Sequence, residues 1–285
     1  MKLALYRKND QTCFGVVTDE GLFTLNGKLG AGINDFSDLL GQGDMAAVAA
    51  LVAGGKADTT LDQVTLLPML PAGAKILCAG LNYQSHADET GRDKPKPNVG
   101  FFIRVASSLV AHGQNIVLPR VSPNFDFEGE LCVVIGKGGR HIPVAEAMRH
   151  VAGYTCLMDG SVRDYQKNSV SAGKNFDASG AVGPFMVTAD EIADVEKLQL
   201  TTRLNGDVVQ RSGVDRLIHS IPRMIAYMSG IMKLSPGDLL ATGTPDGVGW
   251  HRTPQLWLKH GDRLEIDIPG VGMLCNTVAA EGQAA

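Results

Sequence analysis

The stretch that most constrains this chain is Asp126-Phe127-Glu128-Gly129-Glu130, which runs without a break into Leu131-Cys132-Val133-Val134-Ile135. Its second half is apolar at every position, so as a strand it must be covered on both faces. Its first half places two acids at i and i+2, on one side of that strand, with Gly129 removing bulk between them. On a solvent face such a pair needs no partner. Buried, it must be neutralised, and a hard divalent cation does that well. With 285 residues, 44% of them apolar and 20% charged, the chain can bury a sizeable core and is too apolar to be disordered.

The rest of the chain supplies the layers. From Lys75 onward, apolar runs punctuated by glycine and proline predict strands over 76–79, 100–104, 116–118, 129–135, 154–158, 182–187, 198–204, 238–242, 263–268 and 273–278. Two helices interrupt them. One spans 144–152 behind Pro143, and the other spans 220–233, where Ile221, Met224, Ile225, Met228, Ile231 and Met232 recur at helical spacing. The first 70 residues read as a smaller unit, with strands at 2–6, 13–18 and 22–25 and a helix at 44–53 between Asp44 and Gly54. The proline-rich connector Leu66-Leu67-Pro68-Met69-Leu70-Pro71 sets the boundary, giving a cap of residues 1–70 and a larger domain of residues 71–285. The fold class expected is mainly β within α+β. The 34 glycines, well above the usual share and without a collagen period, suit β turns or loops that cradle a ligand.

Several function classes lose support. A net charge of −4 with no basic run disfavours nucleic acid as a partner, and no apolar run approaches a membrane span. No phosphate-binding P-loop, strand-borne GxGxxG, GxSxG elbow, HExxH or CxxC occurs. The N-terminus lacks the marks of a signal peptide, and the five scattered cysteines read as reduced core residues, so the expected compartment is cytoplasmic.

Chemistry can then be placed segment by segment. Asp159 ends an apolar run, either as a turn cap or as a third acid joining Glu128 and Glu130; three carboxylates without nearby His or Cys suit Mg²⁺ or Mn²⁺. His86 and Glu89 stand at i and i+3 in a polar segment that continues to Asn98. They form either an exposed helical pair or a carboxylate-oriented imidazole base. Arg163, Gln166 and Lys174 follow Asp159 and form either a solvated face or a clamp for a substrate carboxylate or enolate. The loop carrying Thr242, Gly243 and Thr244 is either an ordinary turn or an anion nest.

In this order, Asn82-Tyr83-x-x-His86-x-x-Glu89, Glu128-Gly129-Glu130-Leu131, Asp159-x-x-x-Arg163-Asp164, Gly173-Lys174 and Pro236-Gly237-Asp238 with Thr242-Gly243-Thr244-Pro245 resemble the fumarylacetoacetate hydrolase family over roughly 75–278. The resemblance implies a mixed β-sandwich or roll around a divalent ion, Mg²⁺ or Mn²⁺, usually in a homodimer. It implies Glu128, Glu130 and Asp159 as metal ligands and His86 with Glu89 as the water-activating dyad, on a lid covering residues 89–98. It further implies Lys174 as the catalytic lysine and Arg163, Gln166 and Thr244 as substrate contacts. The expected reaction is metal-dependent hydrolysis of a C–C bond in an acylpyruvate, a small 2-oxo acid, giving pyruvate and a carboxylic acid. The alternative on the same scaffold is an oxaloacetate decarboxylase or a 2-hydroxymuconate-type isomerase. Met158 and Gly160, flanking Asp159, depart from the family's pattern and bear on the choice of substrate.

Overall fold

The computed structural model describes residues 1–91 and 97–283. Among the described residues, a sheet of eleven strands and one of five carry most of the chain. The larger runs Gly21–Thr24, Gln11–Thr18, Lys2–Lys8, Gly180–Thr188, Val151–Met158, Gly129–Ile135, Leu239–Ala241, Ile76–Gly80 and Gly100–Arg104. The short strands Thr65–Leu66 and Leu109–Val110 pair with Lys2–Lys8 and Gly180–Thr188. The smaller sheet runs Asp207–Gly213, Gln199–Leu204, Arg263–Ile268, Gly272–Ala280 and Asn115–Leu118. Neighbours are antiparallel except where Leu239–Ala241 meets Ile76–Gly80, where Leu109–Val110 meets Gly180–Thr188 and where Asn115–Leu118 meets Gly272–Ala280.

The strand Gly129–Ile135 lies deep in the larger sheet, and all seven of its residues are buried. Leu131, Val133 and Ile135 pack with Leu200, Leu264, Ile266 and Leu274 of the smaller sheet. Cys132 and Val134 point the other way, into a core shared with Leu3, Phe14, Phe36, Leu39 and Val48. This is the strand alternation that the sequence pattern demanded, each face meeting a different apolar layer. The strands of residues 1–70 do not stand apart from it. Lys2 and Leu3 pair with Val187 and Met186, so the N-terminal strands extend the larger sheet.

The helix over 44–53 forms as Met45–Ala53, with the Asp44 side chain accepting from the amides of Ala46 and Ala47 and Gly54 closing it. The methionine-rich helix forms as Ile221–Ile231, with Pro222 in its first turn. The helix expected over 144–152 does not form. Val144–His150 is a run of 3₁₀ turns, and Val151 opens a strand opposite Ile135. The β-branched Val151 is drawn into the ladder opposite Ile135, while its amide still closes the last 3₁₀ turn by donating to the Met148 carbonyl. The strand Asp207–Gly213 was not anticipated, although Asn205-Gly206, both at positive φ, is the turn chemistry of a tight hairpin.

Candidate active site

Glu128 and Glu130 stand at the head of the buried strand, and Asp159 follows the strand antiparallel to it; the Asp159 amide donates to the Glu128 carbonyl at 2.9 Å. All three carboxylates are buried, and one oxygen of each lies within 4.8 Å of the others. Gly129 is required between them, because a Cβ there would sit 2.1 Å from Thr202 Oγ1.

Three buried cations surround the acids. Lys174 Nζ donates to Glu128 Oε2 at 2.7 Å and to Asp159 Oδ2 at 2.6 Å, and it lies 5.3 Å above the Phe102 ring. Arg163 is held by Asp126, with Nε at 2.8 Å from Oδ2, while its Nη2 lies 2.7 Å from Glu128 Oε1 and its Nη1 donates to Gln166 Oε1 at 2.7 Å. Arg104 donates to Asp159 Oδ1. Asp126, Glu128 and Asp159 thus each meet a cation, whereas Glu130 accepts only the Gly243 amide, at 2.8 Å, among the described residues. The electrostatics follow. Burial pushes the Glu128 carboxyl up, but Lys174, Arg163 and His86 outweigh it and bring it to about 2. Burial pushes Glu130 well above the usual carboxylate range, and the neighbouring Asp159 and Glu128 push the same way. Burial lowers Lys174, but Asp159 and Glu128 outweigh it and hold the ammonium charged.

Among the described residues, four buried carboxylates face three buried cations, so ionising all four would leave one negative charge unmatched, and Glu130 is the acid without a cation. An all-oxygen donor set with one unmatched charge fits a hard divalent ion such as Mg²⁺ or Mn²⁺, which Glu128, Glu130 and Asp159 would hold.

His86 and Glu89 share the short helix Gln84–Glu89, with Nδ1 and Oε1 2.6 Å apart. Glu89 Oε2 accepts the Gly247 amide at 3.0 Å. That amide belongs to a loop whose glycines serve three acids: Gly243 donates to Glu130, Gly247 to Glu89 and Gly249 to Asp126 at 2.7 Å. Asn82 anchors the approach to the helix, donating to the Thr242 carbonyl at 2.9 Å and accepting from the His219 amide at 2.8 Å. A cavity of about 630 Å³ opens above the acids. His86, Glu128, Arg163, Gln166, Lys174 and Thr244 line it; Phe101, Phe102, Ile218, Trp250 and His251 form apolar and aromatic wall around them. Glu130 and Asp159 lie beneath, and Glu89 stands behind His86.

The nine residues singled out in the sequence therefore meet in one place, although some hydroxyls and amides are already engaged. Thr244 Oγ1 donates to the Gly129 carbonyl at 3.0 Å and accepts from Gln210 at 2.8 Å, while Gln166 accepts from Arg163. Met158 points into the apolar core, and a Cβ on Gly160 would sit 1.7 Å from the Ser179 carbonyl. These two departures thus answer to packing. Of the expected lid over 89–98, residues 92–96 lie outside the described residues. Sequence reasoning missed Arg104 and the part played by Asp126. Asp126 carried a readable signal, an acid within the same Asp-Phe-Glu-Gly-Glu run; Arg104, closing an apolar strand, carried none.

Residues 75–279 match the family described as fumarylacetoacetate (FAA) hydrolase, C-terminal. A mitochondrial oxaloacetate tautomerase of Rattus norvegicus is 40% identical over 219 residues, covering 76% of this chain and 70% of its own. Among solved structures, maleylpyruvate hydrolase from Sphingobium sp. SYK-6, in complex with manganese(II) and pyruvate, superposes with a TM-score of 0.82 at 31% identity, covering 98% of this chain and 99% of that one. A 5-carboxymethyl-2-hydroxymuconate delta-isomerase from Mycobacterium smegmatis gives a TM-score of 0.77 at 28% identity, covering 99% of this chain and 100% of that one.

Proposed function

The chain belongs to the fumarylacetoacetate hydrolase family, and from that premise we propose that it is a divalent-metal-dependent hydrolase of acylpyruvates. The observation that carries this reading is that His86, held by Glu89, lines the same cavity as Glu128, the uppermost of the three clustered buried acids. A divalent ion held by Glu128, Glu130 and Asp159 would supply Lewis acidity to the 2-oxo and carboxylate oxygens of the pyruvate unit. The protein's own groups do the rest.

Glu89 fixes His86 through Nδ1, which leaves Nε2 for the cavity. There it takes a proton from water, and the oxygen adds to the distal carbonyl. The bond between that carbon and C3 of the pyruvate unit then breaks, its electron pair going to the pyruvate enolate, and C3 takes a proton as the two acids separate. Lys174, charged and within hydrogen-bond reach of two acids, is placed to offset negative charge on the departing enolate. Arg163, already committed to Asp126, Glu128 and Gln166, holds the wall of the cavity and keeps Glu128 ionised.

The second reading is an oxaloacetate tautomerase, favoured by the name of the rat relative at 40% identity. The two separate in one assay of the full chain with Mg²⁺ or Mn²⁺. Acylpyruvates are followed by loss of enol absorbance and release of pyruvate, and oxaloacetate by enol–keto interconversion. The hydrolase reading expects pyruvate release that falls about 10²- to 10⁴-fold in His86→Ala. Metal-dependent interconversion of oxaloacetate with no pyruvate release from any acylpyruvate rejects it in favour of the tautomerase.

A further inference from the structure

Arg104 closes the edge strand Gly100–Arg104 with only 2% of its surface exposed. A guanidinium at that depth needs an acceptor for each nitrogen and a counter-charge, and here it has both. Nη1 donates to Asp159 Oδ1 and, at 3.0 Å, to the Gly160 carbonyl. Nη2 donates to Ser179 Oγ at 3.0 Å and to the Ser108 carbonyl at 3.2 Å, and Nε donates to Ser108 Oγ at 3.1 Å. One nitrogen, Nη1, therefore grips both the carboxylate of Asp159 and the backbone of the next residue, while the rest of the planar fork is fixed by Ser108 and Ser179. The other carboxylate oxygen, Oδ2, is the one that shares Lys174 with Glu128.

We propose that Arg104 is a positioning residue: by holding Asp159 Oδ1 and the Gly160 carbonyl on one nitrogen of a rigid fork, it turns Asp159 Oδ2 towards Glu128 and Glu130. This inference rests on the reading of the three acids as a metal site. The edge strand is itself tied to the lysine that completes the cluster. Asn175, next to Lys174, accepts from the Val105 amide at 2.7 Å and donates to the Ile103 carbonyl at 3.1 Å. The residues on either side of Arg104 thus fasten the end of the Lys174 helix, while Phe101 and Phe102 of the same strand wall the cavity. A lysine at this position would keep the charge but lose the planar guanidinium whose Nε and Nη2, fastened to Ser108 and Ser179, fix the direction of Nη1.

The test titrates Mn²⁺ into metal-free full-length protein and its Arg104→Lys and Arg104→Met variants. Binding is read by calorimetry and by the electron paramagnetic resonance spectrum of the bound ion, and folding is monitored separately. Loss of the fork should weaken Mn²⁺ binding by about 10- to 100-fold and alter the spectrum of the ion that does bind. A merely structural role would lower the unfolding temperature and leave the affinity of the folded protein unchanged. Should Arg104→Met fail to fold, Arg104→Lys decides: wild-type affinity and spectrum in that variant overturn the proposal. Wild-type protein that takes up no Mn²⁺ rejects the metal reading, and this inference with it.

Discussion

Glu130 is the residue on which the charge balance of the site turns. Its neighbours Glu128 and Asp159 have cations, whereas its own carboxylate has one backbone amide and two like charges nearby. Its proton is therefore held more tightly in the folded than in the unfolded chain. Without metal, ionising it costs stability as pH rises through the folded value, and below the unfolded value that cost vanishes. Glu130→Gln keeps the shape and removes the charge. Metal-free E130Q should be more stable than wild type at neutral pH by roughly 1 kcal/mol, a rise of about 2–4 °C in Tm, and the gain should fade near pH 4. The same variant should show no Tm increase with Mn²⁺. Thermal scans at two pH values, with and without metal, read all of this. An E130Q variant less stable than wild type at neutral pH would contradict the assignment of the unmatched charge.

At the scale of elements, the loop around Gly247 joins the helix of His86 to the acids below. Gly247 sits at φ +94°, and a Cβ there would lie 2.3 Å from the Val209 carbonyl. Gly247→Ala must therefore shift the loop, and with it the amide that orients Glu89, while the Gly243 amide on Glu130 is four residues away. We expect kcat/KM to fall about tenfold or more, with Mn²⁺ affinity much less affected; equal losses in both would mean that the loop acts on the acids alone. Legibility in the sequence divides along the same line. The strands Gly100–Arg104, Gly129–Ile135 and Arg263–Ile268 were read to the residue, because their patterns are local. The three acids were readable because carboxylates beside an apolar run demand an explanation. Arg104 was not, since its counter-charge, Asp159, lies 55 residues away and Ser179 lies 75 away. Nor was the order of the larger sheet, where Leu239–Ala241 pairs with Gly129–Ile135 on one side and Ile76–Gly80 on the other. Such long-range pairing leaves no trace in periodicity.

Across the whole molecule, the site is built from segments spread over most of the chain and fastened to one sheet. Glu130 leans on Gly243, Asp159 on Arg104, and the strand carrying Glu130 packs against N-terminal residues Leu3 and Phe14 through its other face. The strand Lys2–Lys8 is hydrogen-bonded to Gly180–Thr188, which in turn pairs with the strand leading to Asp159. Residues 1–70 should then share the stability of the sheet rather than unfold ahead of it. Calorimetry of the metal-free protein is expected to give a single transition. Mn²⁺ at about 100 times its Kd should stabilise the folded state by about 2.7 kcal/mol, raising that transition as one unit by roughly 5–10 °C. Two transitions, only the upper of which moved with metal, would mean that the N-terminal strands are an independently unfolding appendage. The hydrogen bonds of Lys2 and Leu3 would then count for little against the connector at Pro68 and Pro71. The shared core of Leu3, Phe14, Cys132 and Val182 argues for the first outcome, because melting the N-terminal strands would expose one face of the strand that carries the acids.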